Sequence, residues 1–153
     1  MNNFSIWLFA GFLLLTACHA KAQPGTNRDV LVGVFEGRTP CQLLASQLEE
    51  NKTEECIKIK WRLTLYKDSI TGAPTHYELL GLMYRRPNPA KGNWSAMQDK
   101  NGVEIYQINR AGRKPLLLMK ADDNILFFVD AKKQILVGNK DFSYTLNKVA
   151  ARK

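Results

Sequence analysis

The chain has 153 residues, room for one domain rather than two. Lys and Arg number 22 against 14 Asp and Glu, a net charge of +8, while 45% hydrophobic and 24% charged residues exclude a mainly disordered chain. No charged residue precedes Lys21, so segment 1–20 is a separate object. The ~130 residues that remain suit one core but not a TIM barrel or a large two-domain enzyme.

The apolar run from Ile6 to Leu15 is too short to span a bilayer and fits the core of a secretory signal. The preceding Met1 to Ser5 lacks Lys and Arg, a departure from the usual signal. Leu15-Thr16-Ala17-Cys18 resembles a bacterial lipobox, in which the cysteine is acylated and becomes the new N-terminus. Ala20-Lys21-Ala22 fits ordinary signal peptidase instead, leaving Gln23 first. A third reading keeps the segment as an uncleaved anchor. The first reading makes residues 1–22 a lipoprotein signal and tether on a bacterial outer-membrane lipoprotein. The second gives a soluble periplasmic or secreted protein. All three place the domain, residues 28–150, outside the cytoplasm.

With Cys18 taken by lipid, Cys41 and Cys56 remain. A pair in an oxidising compartment reads as a disulfide. Closing so short a loop stabilises by roughly 3 kcal/mol in the chain-entropy picture. The rival reading is a metal or redox pair, although the spacing is not the C-x-x-C of thiol oxidoreductases.

Val30 to Phe35 is the first expected strand. Thr39-Pro40-Cys41-Gln42 reads as a helix start, with Thr39 as cap, Pro40 in the first turn and Gln42 completing a capping box. Leu43, Leu44 and Leu48 follow at near-helical spacing, and the helix should end by about Asn51. From Cys56 to Tyr66 apolar and polar residues alternate strictly, which predicts a long antiparallel strand with Ile57, Ile59, Trp61, Leu63 and Leu65 on one face. Further strands are expected at His76–Tyr84, Asn93–Met97, Val103–Ile108, Leu116–Lys120, Ile125–Asp130, Gln134–Val137 and Phe142–Val149, with Gly-, Pro-, Asn- and Asp-rich punctuation between them. Short strands in sequence, with no helical stretch after the first, predict an all-β fold. It is a small antiparallel up-and-down barrel of about eight strands with one short helix near the N-terminus.

The order of these features carries a resemblance. A lipobox precedes a strand ending Phe35-Glu36-Gly37-Arg38-Thr39-Pro40-Cys41. Then come Leu63-Thr64-Leu65-Tyr66-Lys67-Asp68, Tyr77-Glu78-Leu79, Gly92-Asn93-Trp94, Leu117-Leu118, Ile125-Leu126 and a closing Tyr144-Thr145-Leu146. Over roughly residues 30–149 this is similar to the N-terminal domain of the NlpE family of envelope lipoproteins, described as copper-resistance or copper-homeostasis proteins. The resemblance implies a lipocalin-like barrel on a lipid anchor and a role in sensing envelope stress and surface contact. The family pairs Pro-Cys with a second cysteine two residues further on, as C-x-x-C. Here Cys41 matches the first cysteine but Leu44 stands in the place of the second, with Cys56 as a replacement across an inserted helix. That departure removes the support that the family's C-x-x-C would lend to a metal or redox role. The second, OB-like domain of longer members has no counterpart either.

Other chemistry finds little footing. His19 and His76 do not form a zinc pattern, and no serine sits in a nucleophile elbow. His76 reads as a surface strand residue. Asp122-Asp123-Asn124 lacks the spacing of a calcium loop and reads as a hairpin turn. Met83, Met97 and Met119 fall on separate strands and read as core filling, with copper(I) ligation as the alternative. The basic excess, with Lys58, Lys60 and Arg62 on a wet strand face and Arg85, Arg86, Lys91, Arg110, Arg113 and Lys114 in loops, reads as solvated charge. Its accessible counterpart is anionic envelope lipid or polysaccharide rather than nucleic acid. The expectation is a non-enzymatic, monomeric binding or sensing module with neither cofactor nor metal site. Its partners are the membrane, through the anchor, and an envelope protein or small hydrophobic ligand at the barrel mouth. Copper handling through Met or Cys ligands is the alternative.

Overall fold

The structure is a computed structural model that describes residues 28–48, 56–81 and 87–151. Cys18 and the whole of segment 1–22 lie outside the described residues, as do Met83, Arg85, Arg86 and the expected helix end near Asn51. Eight strands run in chain order: β1 Asp29–Pro40, β2 Lys58–Asp68, β3 Pro74–Leu80, β4 Ala90–Gln98, β5 Glu104–Ile108, β6 Leu116–Lys120, β7 Ile125–Val129 and β8 Thr145–Val149. Each pairs antiparallel with its successor and β8 returns to β1, which closes the barrel. The all-β, up-and-down expectation is thus met in strand number and topology. One short helix, α1 at Gln42–Gln47, follows β1.

Alternation decides which side chains fill the barrel. Along β2, Ile59, Trp61, Leu63 and Leu65 are buried while Lys58 and Lys60 are exposed, as the sequence pattern requires. Phe35 lies opposite Leu63, Leu63 opposite Leu79, and Leu118 opposite Phe128, so one inward layer continues around the ring. Arg62 faces out beside β1 and is ion-paired with Glu36.

The end reached by the C-terminus of β1 is closed. Trp61 is 3% exposed, its indole centroid lies 5.2 Å from the Phe128 ring, and its Nε1 donates to Thr39 Oγ1 at 2.9 Å. Gly81, at φ +146°, makes room for that indole, because a Cβ there would come within 2.5 Å of it. Below Trp61 pack Leu44, Leu48, Leu136 and Tyr144.

The helix start differs from the expectation. β1 stays paired with β2 as far as Pro40 opposite Lys58, and Cys41 N–H still donates to Ile57 O at 3.2 Å. The helix therefore begins only at Gln42, with Cys41 at the cap position and no side-chain cap. Thr39 cannot cap because its hydroxyl is committed to Trp61. The Gln42 side chain reaches the Cys56 carbonyl, at 3.5 Å, instead of closing a capping box. Leu44 and Leu48 are buried as expected, while Leu43 is exposed.

Gln134–Val137 is not a strand. It touches β7 through one bridge, Val129 opposite Ile135, after a tight turn in which Asp130 N–H donates to Gln134 O. Phe128 N–H already donates to Tyr144 O, so the same side of β7 is shared between two segments and neither ladder extends. Arg110 is also not a solvated loop charge. It is 5% exposed, and its Nε donates to Lys114 O at 2.8 Å, clamping the β5–β6 loop.

Cys41 and Cys56 are joined by a disulfide with Cα atoms 5.7 Å apart. The bond ties the start of α1 to the residues leading into β2.

Two outcomes test this architecture. Trp61→Ala should lower unfolding free energy by about 3–5 kcal/mol in urea titration, whereas Lys60→Ala on the outer face should cost less than ~0.5 kcal/mol. Equal costs would mean that the strand faces are exchanged. Reduction of Cys41–Cys56 should raise amide exchange in Gln42–Leu48 first and leave β4–β7 protected; uniform loss of protection would contradict a local staple.

Candidate functional site at the open mouth

The opposite end of the barrel, built from the start of every odd strand and the end of every even one, carries no helix among the described residues. Here a cavity of about 360 Å³ opens to solvent. Its floor is apolar and aromatic: Phe35, Trp94, Tyr106 and Leu126. Trp94 and Tyr106 meet edge to face with centroids 4.8 Å apart, and Trp94 Nε1 donates to Tyr66 O at 2.7 Å, which fixes the indole plane. Ala96, opposite Tyr106, is the small residue that leaves the cup open above the rings.

The rim is charged. Three lysines reach it by continuing the inward alternation of their strands: Leu63-Leu65-Lys67 on β2, Leu116-Leu118-Lys120 on β6, and Leu146-Lys148 on β8. Three acids, Glu104, Asp122 and Asp123, line the other side. The lysines are not equivalent. Lys120 Nζ lies 2.8 Å from Asp123 and 3.4 Å from Glu104. Its hydrogen bond to Asp123 raises its pKa well above the ordinary lysine value, against a smaller opposing effect of burial. The same bond holds Asp123 below the usual carboxylate range, so the two shifts agree. Burial pushes the Tyr106 hydroxyl up, with Glu104 adding to it. Asp122 Oδ1 accepts the Asn124 backbone N–H at 2.7 Å within the β6–β7 turn, the hairpin that its sequence predicts.

Lys67 and Lys148, by contrast, have no ion-pair partner among the described residues. They stand on either side of β1, Lys148 opposite Phe35 and Lys67 opposite Val30. Gly33 makes space for the Lys148 stem, since a Cβ at that position would lie 2.9 Å from Lys148 Cε. The mouth is therefore dipolar: the ammonium groups of Lys67 and Lys148 flank β1, and a cluster of three acids and one lysine, net negative, spans β5–β7, where Lys148 also helps to hold the Asp123 carboxylate down.

The other candidates lie elsewhere. His76 is a half-exposed strand residue, as expected, and is stacked on Tyr66 at 4.3 Å with Nδ1 3.2 Å from Asp29. Met97 and Met119 are partly buried on the outer face, each opposite Ile105. No group of three or more His, Cys, Asp or Glu side chains suited to a metal ion occurs among the described residues. Lys91 is ion-paired with Glu78 at 2.7 Å. No described helix is long and apolar enough to cross a membrane.

No family model, no curated protein and no solved structure matches the chain.

The Lys120–Asp123 pair predicts a pH dependence. A carboxylate with a depressed folded pKa contributes stability above its ordinary value of 3.8 and loses it as pH falls through the folded value. A lysine with a raised folded pKa contributes below 10.5 and loses it as pH rises through its folded value. Lys120→Gln should therefore lower the urea midpoint at about pH 7, and the difference from wild type should shrink as pH falls through the folded value of Asp123. Carboxyl NMR of the variant should show Asp123 titrating closer to 3.8; an unchanged titration would mean that the pair does not exist in solution.

Proposed function

We propose that this chain is a non-enzymatic, lipid-tethered binding module of the bacterial cell envelope, with the open mouth as its ligand site. The observation that carries the reading is the asymmetry of the barrel. One end is plugged by Trp61, α1 and the disulfide, and the other is an aromatic-floored cup. Concave apolar sites with a few placed polar groups are where small ligands bind. The Leu15-Thr16-Ala17-Cys18 lipobox supports the tether, and acylation at Cys18 would place the module at the outer membrane. The NlpE-like order of motifs supports a sensing role, with ligand occupancy of the cup as the sensed event.

Copper handling would have to proceed without Cys41 and Cys56, whose sulfurs are bonded to each other. No observation favours it over the cup. Binding of nucleic acid is disfavoured by the export signal, and the barrel reads as a monomer because its ring leaves no strand edge to pair.

The test of tethering is fractionation. Wild-type protein should sediment with the envelope membranes, and Cys18→Ala should shift it to the soluble envelope fraction. An N-terminus at Gln23 in the wild-type protein would overturn the lipid anchor.

A further inference from the structure

We propose that the cup takes a small amphipathic anion: one acidic head, carboxylate-like in size, on a short apolar tail or single ring. The proposal rests on the reading of the mouth as the binding site and deepens it to a ligand class.

Three features of the cup fix that class. The first is depth. Leu63 and Leu118, which do not line the cavity, are fully buried, so the barrel is filled below Trp94 and Tyr106. The cavity of about 360 Å³ lies at the small end of the range for ligand pockets. A long acyl chain has nowhere to run, whereas a short tail can cover the exposed ring edges.

The second is charge. An ion already held by an acid offers little to a ligand, because binding there would break an existing pair. That removes Lys120, held by Asp123 and Glu104. The same lysine engages two of the three acids, Asp123 and Glu104, and its one charge offsets one of them. The third, Asp122, spends an oxygen on its own turn. The lysines that no carboxylate holds at ion-pair distance among the described residues are Lys67 and Lys148, and they stand together on the β1 side of the cup, across from the excess acid. Asp68, next to Lys67, is no substitute partner, because its Oδ1 accepts the backbone N–H groups of Ile70 and Thr71. Asp29 is likewise engaged, with His76.

The third is placement. The Lys148 stem crosses the position where any residue but Gly33 would put a side chain, beside the Phe35 ring. Its stem thus runs beside the apolar floor, while the residue as a whole is exposed. A head group between Lys148 and Lys67 would leave its tail directed at Trp94 and Tyr106, so the two halves of the ligand meet the two halves of the site. A cationic head would instead have to sit at the turn carboxylate of Asp122 or compete with Lys120 for Asp123 and Glu104.

The experiment compares one tail with three heads: octanoate, octanol and octylammonium, each titrated into the purified full chain and followed by amide and indole NMR shifts. Octanoate should bind most tightly, with shifts concentrated at Val32–Phe35, Trp94–Ala96 and Tyr106. Lys148→Gln and Lys67→Gln should each weaken octanoate about 3- to 10-fold and leave octanol unchanged, as expected for partly exposed charge pairs. Lys60→Gln, on the outer wall, should change nothing. Ala96→Phe should fill the cup and abolish binding of all three. Equal affinity for octanoate and octanol, or tightest binding of octylammonium, overturns the anion assignment while leaving the mouth as a site. Shifts that spare the cup and survive Ala96→Phe overturn the mouth reading itself. No binding of any of the three overturns both.

Discussion

The indole of Trp61 is the constraint from which the rest of the barrel is arranged. It is too large to share a cross-section with other bulky residues, so its surroundings are made for it. Gly81 gives up a side chain on one flank, and Phe128 tilts against the ring on another. Its N–H, which could not be left unpaired in an apolar interior, is met by Thr39, a residue with no exposed surface. That single hydrogen bond joins the end of β1 to the middle of β2. It also keeps β1 extended past the point where local signals favour a helix, and so sets where α1 and Cys41 can lie. The plug at one end follows from this arrangement, and with it the restriction of any cavity to the other end.

The two ends also differ in the kind of order that holds them. The closed end is fixed by packing, a covalent bond and a buried hydrogen bond. The open end is fixed by hydrogen bonds of short polar side chains to turn backbone. Asp68 holds the β2–β3 turn, Asp99 the β4–β5 turn and Asp122 the β6–β7 turn. Turns made this way stay close to the barrel wall and do not themselves cover the mouth. The Asp68 and Asp99 carboxylates are held below the usual range by those backbone N–H groups.

Much of this fold is legible in the sequence because antiparallel barrels obey a strict alternation. β2 is the plainest case: its buried and exposed residues are those of the two-residue period from Ile59 onward, although Ile57 lies before the strand and is exposed. The failures share one cause, competition from residues distant in sequence. Thr39 has the chemistry of a cap, but Trp61 claims it. Ile135 and Val137 have strand propensity, yet Tyr144 already occupies the edge of β7 that they would extend. Arg110 looks like a loop charge until the Lys114 carbonyl turns towards it. The cup was hidden for a different reason. Lys67, Lys120 and Lys148 each occupy the inward phase of an otherwise apolar strand, one step beyond its last leucine. The alternation shows this, but it takes the ring's closure to show that the three strand ends meet at one mouth. Which lysines are neutralised depends on side-chain distances that no periodicity carries.

The ring has a thin seam. β8 is joined to β1 through three residue pairs, Val34–Val149, Phe35–Lys148 and Glu36–Asn147, and to β7 through Ile125–Asn147, Leu126–Leu146 and Phe127–Thr145, with flanking hydrogen bonds from Phe128 N–H to Tyr144 O and from Lys148 N–H to Asn124 O. It is also the strand whose partner lies at the far end of the domain's sequence. Local hairpins from β2 to β7 can form with little loop entropy to overcome, but joining β8 to β1 requires the whole domain to be in place. The newly made chain must therefore pass through a sheet with two unpaired edges, β1 and β7, before the last short strand seals it. Such edges are templates for pairing with another chain. Val34 and Phe35 of β1 stand on that edge until closure. Folding of this protein thus carries a window of aggregation risk whose length is set by how quickly a five-residue strand finds its place.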